Sequence, residues 1–352
     1  TVVSAVMVIG MSSCGRSESG ADSDSDAVKT INSSKATGDL TIWAMGNEGD
    51  LLDDFVKGFE KENPDVKIKV TAIPWSSAHD KLQTAIAAGN GPDLAQMGTT
   101  WMADFSNSFS TVPDNLDMSD FSDGSRATGQ VDGKQLGVPW YIDTRVLYYR
   151  TDIAGMAGWN KAPKTWNELK RMAKDMQKVD GVKYGMSLNS SGTDAFLGTL
   201  PFSYSAGASL TNEEQTKWTF DDNGIKKGLN FTTSLYRDGI VDVNADVSSG
   251  ADIANFVSGS TPMMLQGPTA VSQINELGGD GFESKYATVI LPSMNESSGP
   301  ATSFVGGCNL VTFKDSKNKQ SAWKFIQWAS KPEVQAEWYK KSSDLPASQK
   351  AW

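Results

Sequence analysis

The sequence has few of the residues that build covalent and metal-based chemistry. Among its 352 residues are two cysteines, Cys14 and Cys308, and one histidine, His79. Two cysteines nearly 300 residues apart provide neither a disulfide framework nor a cysteine-based metal site, so both are excluded. His79 lies in the first turn of a predicted helix, where we expect a solvated residue rather than a catalytic or metal-binding one. The sequence therefore predicts no metal and no cofactor.

Motifs of common catalytic sites are also missing. The chain has no Gly-rich phosphate loop, no Gly-x-Ser-x-Gly turn and no cluster of histidine with carboxylates. Glycoside hydrolysis needs only two carboxylates, and any two of the 42 acidic residues could converge, but no pair stands out. We predict that the chain is not an enzyme, and a secreted glycoside hydrolase remains the alternative of another class.

Positive charge is scarce as well. The formal net charge is −10, and no block of lysines and arginines occurs. Binding to the phosphates of nucleic acid needs a basic surface, so nucleic acid is excluded as a partner. The partner is expected to be neutral or cationic.

No apolar run is long enough to span a membrane, which takes roughly 20 residues. The apolar run 2–11 ends in Met11-Ser12-Ser13-Cys14, a pattern typical of a bacterial export signal whose cysteine becomes lipidated. Residues 15–39 are mostly Ser, Asp, Gly and Ala, which predicts a flexible tether. We expect a lipid on Cys14 to hold the protein at the extracellular face of the cytoplasmic membrane; the alternative is a cleaved signal followed by a free cysteine. The natural start is expected to lie upstream of Thr1.

The chain after residue 39 begins with alternating strands and helices. An apolar run at 40–44 predicts a strand, Leu52, Phe55, Val56 and Phe59 predict a helix that Pro64 ends, and Val66, Ile68 and Val70 predict a second strand. A helix over 76–88 and a strand over 92–97 follow. This β-α-β-α-β order indicates a mostly parallel sheet, whose post-strand loops at 45–49 and 98–102 should face one crevice.

The middle of the chain contains a long extended run, residues 136–150, which we interpret as a strand crossing between two domains. A capping box, Thr165 to Glu168, predicts a helix that ends near Gly181. Beyond it, helices are expected at 223–237, with Ile225, Leu229, Thr232 and Tyr236 on one face, and at 320–330. Short strands are expected at 262–265, 287–291 and 310–313.

Aromatic side chains are abundant outside the predicted helical faces. They are Trp43, Trp75, Trp101, Trp140, Tyr141, Phe196, Phe202 and Tyr204. An aromatic ring at a strand end can stack on the C–H face of a sugar, while carboxylates and amides bind its hydroxyls. Candidates for the polar contacts are Asn47, Glu48, Asp143, Arg145, Asp194 and Gln266. The alternative is that several of these aromatic residues belong to the core.

Six stretches resemble the extracellular solute-binding proteins of ABC sugar importers, the group that includes the maltodextrin-binding proteins. They are LTIW at 40–43, FEKENP at 59–64, KLQTAIAAGNGPD at 81–93, VLYYRTD at 146–152, MMLQGP at 263–268 and FVGG at 304–307. The resemblance implies a two-lobed α/β type II fold with a mostly parallel sheet in each lobe, extended hinge segments and a ligand cleft that closes on binding. It places residues 40–142 and 307–332 in lobe 1 and residues 143–306 and 333–352 in lobe 2, after a signal remnant at 1–14 and the tether.

The resemblance also maps a binding site onto this sequence. The residues are Trp43, Asn47, Glu48, Thr99, Thr100, Trp101, Tyr141, Asp143, Arg145, Asp194, Phe196, Gln266, Phe304, Gly306 and Gly307. The sequence departs from the family at Thr269, where many members have a stacking tryptophan after Gly-Pro, so one sugar subsite is expected to be altered. Relatives continue for several tens of residues beyond Trp352, and we expect a longer natural C-terminus.

The implied function is the substrate-binding component of an ABC transporter in a Gram-positive cell. A monomer would capture an oligosaccharide, best matched by an α-glucoside or galactoside, and deliver it to the permease subunits in the membrane. A binder of an amino acid, peptide or polyamine remains open, because an acidic cleft would attract an amine. A cell-wall adhesion or scaffold protein remains open as well.

Overall fold

The computed structural model describes residues 27–188, 195–212, 216–248, 250–299 and 301–352. Its strands are β1 (Gly38–Met45), β2 (Val66–Ile73), β3 (Leu94–Gly98), β4 (Gln130–Val131), β5 (Lys134–Gln135), β6 (Val138–Asp143), β7 (Val146–Arg150), β8 (Met263–Gln266), β9 (Tyr286–Val289), β10 (Gly306–Thr312) and β11 (Leu345–Pro346).

The described residues form thirteen α-helices. They are α1 (Gly46–Phe55), α2 (Lys57–Glu62), α3 (Trp75–Ala87), α4 (Met102–Phe105), α5 (Asp123–Ala127), α6 (Thr151–Met156), α7 (Trp166–Met176), α8 (Leu200–Ser205), α9 (Asn223–Arg237), α10 (Ala251–Ser258), α11 (Ala270–Gly278), α12 (Lys319–Ala329) and α13 (Pro332–Ser342). None of these described helices is long and apolar enough to cross a membrane.

Lobe 1 is built on a six-stranded sheet in the order β11-β6-β10-β3-β1-β2. β1 pairs in parallel with both β2 and β3, which confirms the β-α-β-α-β unit. β10 runs antiparallel between β3 and β6, so the sheet is mixed rather than wholly parallel. Because β1, β2 and β3 are parallel, the loops at their carboxyl ends lie along one edge of the sheet.

Lobe 2 contains a smaller sheet in the order β8-β7-β9, and both pairs are antiparallel. The two-lobed α/β fold is confirmed, but the expected mostly parallel sheet is wrong for these described strands of lobe 2. The strands are antiparallel because β7 runs away from the connection to lobe 1, whereas β8 and β9 run back toward it. Gln266 at the end of β8 therefore lies opposite Val146 at the start of β7.

The extended run at 136–150 divides into one strand in each lobe. β6 ends at Asp143, Thr144 and Arg145 bridge the lobes, and β7 begins at Val146. The chain returns to lobe 1 at the start of β10, where Gly306 pairs with Asp143 and Gly307 with Ile142. The two crossings between the lobes therefore lie next to each other at the same end of the lobe 1 sheet.

Most local helix signals are confirmed, although α7 ends at Met176 rather than near Gly181. The Thr165 hydroxyl accepts a hydrogen bond from the Glu168 backbone N–H, as a capping box requires, and α7 begins at Trp166. In α9 the predicted apolar face is wrong at Leu229, whose side chain is exposed. The buried face runs through Gly228 instead, because α8 packs so closely that a Cβ on Gly228 would overlap the Ser203 backbone.

Residues 333–352 pack with lobe 1, not with lobe 2 as the sequence predicted. β11 pairs with β6, with Leu345 opposite Ile142. On α13, the Trp338 ring stacks on the Trp140 ring of β6 with 4.8 Å between centroids. Burial of two indole rings against each other favours this location, and the short local sequence gives no sign of it.

The predicted flexible tether is wrong for residues 27–37, which lie against lobe 1. Ile31 and Ala36 are buried in the lobe 1 core. Asn115 exchanges two hydrogen bonds with the Ile31 backbone, at 2.8 and 2.9 Å. The Ser321 hydroxyl accepts from the Thr37 N–H at 3.0 Å and donates to the Thr37 carbonyl at 2.8 Å. We call residues 27–37 the N-terminal strap.

Replacement of Ile31 with Ala is expected to lower the free energy of unfolding by about 2 kcal/mol or more, because it leaves a cavity where the strap meets the lobe 1 core. Urea denaturation measures the change. The control is Ser33→Ala, on an exposed strap residue, which should leave the free energy unchanged. Equal stability of the Ile31→Ala variant and the wild type would contradict the packing of the strap.

Candidate functional site

The space between the lobes lies beside the two crossings, and loops of both lobes face it. A cavity of about 690 Å³ lies between the start of α1 and the loop after β2 on one side and α10 and α11 on the other. Its polar lining includes Asn47 and Asp50 from lobe 1 and Gln273 and Glu276 from lobe 2. The interlobe cleft is therefore lined by carboxylates and amides from both lobes.

Asp143 is at the centre of the crossing. Its Oδ2 pairs with the Arg145 guanidinium, and its Oδ1 is buried with no hydrogen-bond partner in the described residues. Oδ1 occupies the space that a side chain on Gly267 of lobe 2 would need. The Gly267 carbonyl accepts a hydrogen bond from the Tyr148 hydroxyl at 2.8 Å, which holds this loop against the hinge. Asp143 thus presents a free acceptor between the lobes.

The Phe304 ring lies beside the Arg145 guanidinium that pairs with Asp143. The Arg145 guanidinium carbon is 5.7 Å from the centroid of the Phe304 ring, within the range of a cation–π contact. Gly306 contacts this ring, since a Cβ there would lie 3.3 Å from it, and the Thr99 hydroxyl is 3.8 Å from the same position. The structure therefore brings together Thr99, Asp143, Arg145, Phe304 and Gly306.

Glu48 lies on α1 but its side chain is buried under the crossing. The Tyr141 hydroxyl donates to Glu48 Oε1 at 2.6 Å. The Gln96 amide donates to Tyr141 Oη at 3.0 Å and to Cys308 Sγ at 3.4 Å, and its oxygen accepts from the Met45 N–H at 2.7 Å. Burial raises the pKa of Glu48 to about 7, with the hydrogen bond from Tyr141 opposing the rise.

A second buried acid, Asp344, lies in the same region and was not predicted from the sequence. The Trp338 indole N–H donates to Asp344 Oδ2 at 2.8 Å, while Oδ1 is buried with no partner in the described residues. Burial raises the pKa of Asp344 well above its ordinary value, and the nearby Glu48 raises it further. Gln96 was missed too, because it lies in the interior of a strand. No local motif marks either residue.

On the lobe 2 side, Gln266 ends β8 and its amide donates to the Asp252 carboxylate on α10. Asp252 was not predicted, since its role depends on a contact between two separate elements. Phe196 lies in a short 3-10 helix, Ala195–Gly198, with 37% of its surface exposed. Asp194 lies outside the described residues.

Several aromatic candidates lie in or against the lobe cores. Trp101 is 3% exposed and packs edge-on against Trp75 and His79. Trp43 is partly buried, packs against the lobe 1 core and lies under the Lys81 ammonium. Others are also buried, namely Trp140, Tyr141 and Phe202. The four buried rings are therefore core residues rather than exposed platforms. Position at the end of a strand does not by itself determine which way a ring points.

The remaining candidates are dispersed. Asn47 lines the interlobe cavity, Thr100 is exposed in the short helix after β3, and Gly307 is the second residue of β10 at the hinge. His79 is half-buried, with Nε2 3.1 Å from Asp104. Within the described ranges, no group of three or more His, Cys, Asp or Glu side chains is arranged to hold a metal ion.

Known proteins resemble this chain along most of its length. The galactooligosaccharide-binding protein of Bacillus subtilis is 24% identical, covering 97% of this chain and 78% of its own. The sugar-binding protein MalE from Xanthomonas citri is 31% identical, with a TM-score of 0.70, over 90% of this chain and 80% of that one. The GacH receptor of Streptomyces glaucescens, solved unliganded and with acarbose, is 27% identical, with a TM-score of 0.79, over 90% and 81%.

The match to a family covers most of the chain as well. Residues 45–336 match the family described as bacterial extracellular solute-binding protein. The matched region includes the start of α1, both crossings and the loops of lobe 2 that face them. The chain belongs to the bacterial extracellular solute-binding proteins.

Proposed function

We propose that the chain captures an oligosaccharide in the interlobe cleft and delivers it to the permease subunits of an ABC importer, without making or breaking a bond. The observation that carries this proposal is the interlobe cleft: a cavity of about 690 Å³ lies between the lobes, and Asp143, Arg145 and Phe304 meet at the hinge that joins them. Relatives that bind galactooligosaccharide, maltotriose and arabinooligosaccharide support the class of ligand.

The chemistry of the cleft suits a neutral sugar. Sugar hydroxyls both donate and accept, and the cleft offers acceptors at Asp143 and Asp50 and amides at Asn47 and Gln273. The Phe304 ring supplies an apolar face beside the Arg145 guanidinium. Burial between two lobes strengthens such polar contacts, because water is excluded.

Capture would work through lobe closure. The lobes are connected at Thr144 and Arg145 and at the start of β10, so a change in a few backbone angles there can rotate one lobe against the other. A ligand that contacts both lobes binds the closed state better than the open one, and it shifts the population toward closure by that difference in affinity.

We assign the sugar contacts to the residues that the structure collects at the cleft. They are Asn47, Thr99, Asp143, Arg145, Gln266, Phe304, Gly306 and Gly307. Glu48 would act from beneath them through Tyr141. The buried ring of Trp101 and the partly buried ring of Trp43 would shape the lobe 1 wall rather than stack on the ligand.

We further propose that a lipid on Cys14 holds the protein at the outer surface of a Gram-positive cytoplasmic membrane as a monomer. The pattern Met11-Ser12-Ser13-Cys14 supports this proposal. The strap would then fix the anchored segment to lobe 1, which leaves lobe 2 free to move.

Isothermal titration against maltotriose, galactotriose, arabinotriose, free amino acids and a polyamine tests the ligand class. The proposal expects heat with at least one oligosaccharide and none with the amine-bearing compounds. Chromatography of the oligosaccharides after long incubation should show no new products. Heat with the amino acids or polyamine alone, or the appearance of shorter sugars, would replace the proposal with one of its alternatives.

Replacement of Phe304 with Ala should weaken oligosaccharide binding by about 1 to 2 kcal/mol, roughly 5- to 30-fold in Kd, because it removes an aromatic contact at the hinge. The matched control is Phe220→Ala, which removes an exposed ring stacked on Trp218 at the surface of lobe 2. Affinity should be unchanged in the control. An unchanged Kd in a folded Phe304→Ala variant would remove Phe304 from the site.

Replacement of Cys14 with Ala in cells should move the protein from the membrane fraction to the culture medium, because the acyl chains are lost. Immunoblots of both fractions measure the distribution. The control is Ser17→Ala in the neighbouring tether, which should stay with the membrane. Retention of the Cys14→Ala variant at the cell surface would contradict the lipid anchor.

A further inference from the structure

Three carboxyl groups meet at the hinge, and only one cation pairs with them. Arg145 pairs with Asp143, whereas Glu48 and Asp344 take part in no ion pair within the described part of the chain. In the β6–β11 register, Leu345 lies opposite Ile142 and Pro346 opposite Tyr141, which brings Asp344 to the level of Asp143. We call Glu48, Asp143 and Asp344 the hinge acid cluster.

Burial favours the neutral forms of Glu48 and Asp344, although the hydrogen bonds that they accept favour the ionised forms. Asp344 Oδ2 accepts from the Trp338 indole, and Oδ1 is buried with no hydrogen-bond partner in the described residues. A buried carboxylate with so few donors is costly, so the group holds its proton. Burial raises the pKa of Asp344 well above its ordinary value and that of Glu48 to about 7. Asp344 therefore favours its neutral form, and Glu48 titrates near pH 7.

Among the described residues, the groups that face the hinge acid cluster provide no second cation. Glu48 faces Tyr141 and Asp143 on β6, Gln96 on β3 and Cys308 on β10. Asp344 faces the Trp338 indole and the Ser342 hydroxyl. The lysines at the end of α13 pair elsewhere, Lys340 with Glu337 and Lys341 with Asp54.

The hinge acid cluster and its neighbours contact lobe 2, which would move when the cleft closes. Asp143 Oδ1 packs against Gly267 of lobe 2. The Ser272 hydroxyl on α11 of lobe 2 donates to the Ser342 carbonyl at 3.0 Å, two residues before Asp344. Rotation of the lobes therefore changes the surroundings of at least two of the three acids.

We propose that sugar capture is linked to a proton on the hinge acid cluster: the cleft closes most tightly when Glu48 and Asp344 are neutral and Asp143 alone is charged. This inference rests on the proposed function. Closure removes water from the hinge, and a second negative charge beside Asp143 would then be less screened and more costly. Sugar binding above pH 7 is accompanied by uptake of a proton at Glu48.

Titration of maltotriose, galactotriose and arabinotriose at pH 6, 7 and 8 tests the linkage. If only the form with a neutral Glu48 binds, Kd for a sugar that binds rises about tenfold from pH 6 to pH 8, since the competent fraction falls by that factor. Titrations at pH 8 in buffers of different ionisation enthalpy should show uptake of close to one proton. In the Glu48→Gln variant Kd should change less than twofold, and no proton should be taken up.

The matched control is Asp53→Asn, which removes an exposed carboxyl from the same helix and should keep the wild-type pH dependence. A wild-type Kd that is constant from pH 6 to pH 8, without proton uptake, would overturn the inference while leaving the proposed function intact. Absence of heat with all three sugars would contradict the proposed function instead.

A second measurement needs no sugar. A carboxyl whose pKa is raised by folding stabilises the protein below its unfolded pKa, and this contribution is lost as the pH rises through the folded pKa. The wild type should therefore lose stability relative to Glu48→Gln between pH 4.5 and pH 7, as measured by urea denaturation. A difference that stays constant over this range would show that Glu48 holds no such proton and would overturn the inference.

Discussion

The pairing of β6 with β10 is the constraint on which the two-lobed arrangement depends. One strand leaves lobe 1 at Asp143 and the other returns at Gly306, and the two residues are partners in the ladder. Gly307 makes this pairing possible: its φ is +120°, and a Cβ there would overlap the Tyr141 carbonyl. Because both crossings share one ladder, the lobes are joined along a single line, and the cleft opens beside it.

The polar site follows from the same geometry. Loops at the carboxyl ends of β1 and β3 reach this edge of the sheet, and β8 ends beside the start of β7. The chain therefore concentrates acceptors, one cation and an aromatic ring where the lobes meet. It also buries Glu48 and Asp344 there, at a cost in stability, and a buried polar network of this kind makes the hinge sensitive to small changes in charge.

The sequence predicted the parts of this structure that local patterns control. Alternating Val66, Ile68 and Val70 and the Thr165 capping box produced the expected strand and helix, because period and capping are properties of short segments. Long-range contacts were not predicted. β11 pairs with β6 in the lobe 1 sheet, and the Trp338 ring of the preceding helix stacks on the Trp140 ring of β6. In the site, Arg145 pairs with Asp143 and lies beside the Phe304 ring. Asp344 has no local signal, and the direction of the Trp101 ring depends on its neighbours.

Small-angle X-ray scattering of the protein with and without a saturating oligosaccharide from the titration panel tests the central claim most directly, namely that the lobes close on a sugar held between them. The account predicts that the radius of gyration falls on addition of the sugar, as two lobes joined along one line rotate together. An unchanged radius of gyration at full occupancy, with binding verified by titration of the same sample, would contradict it.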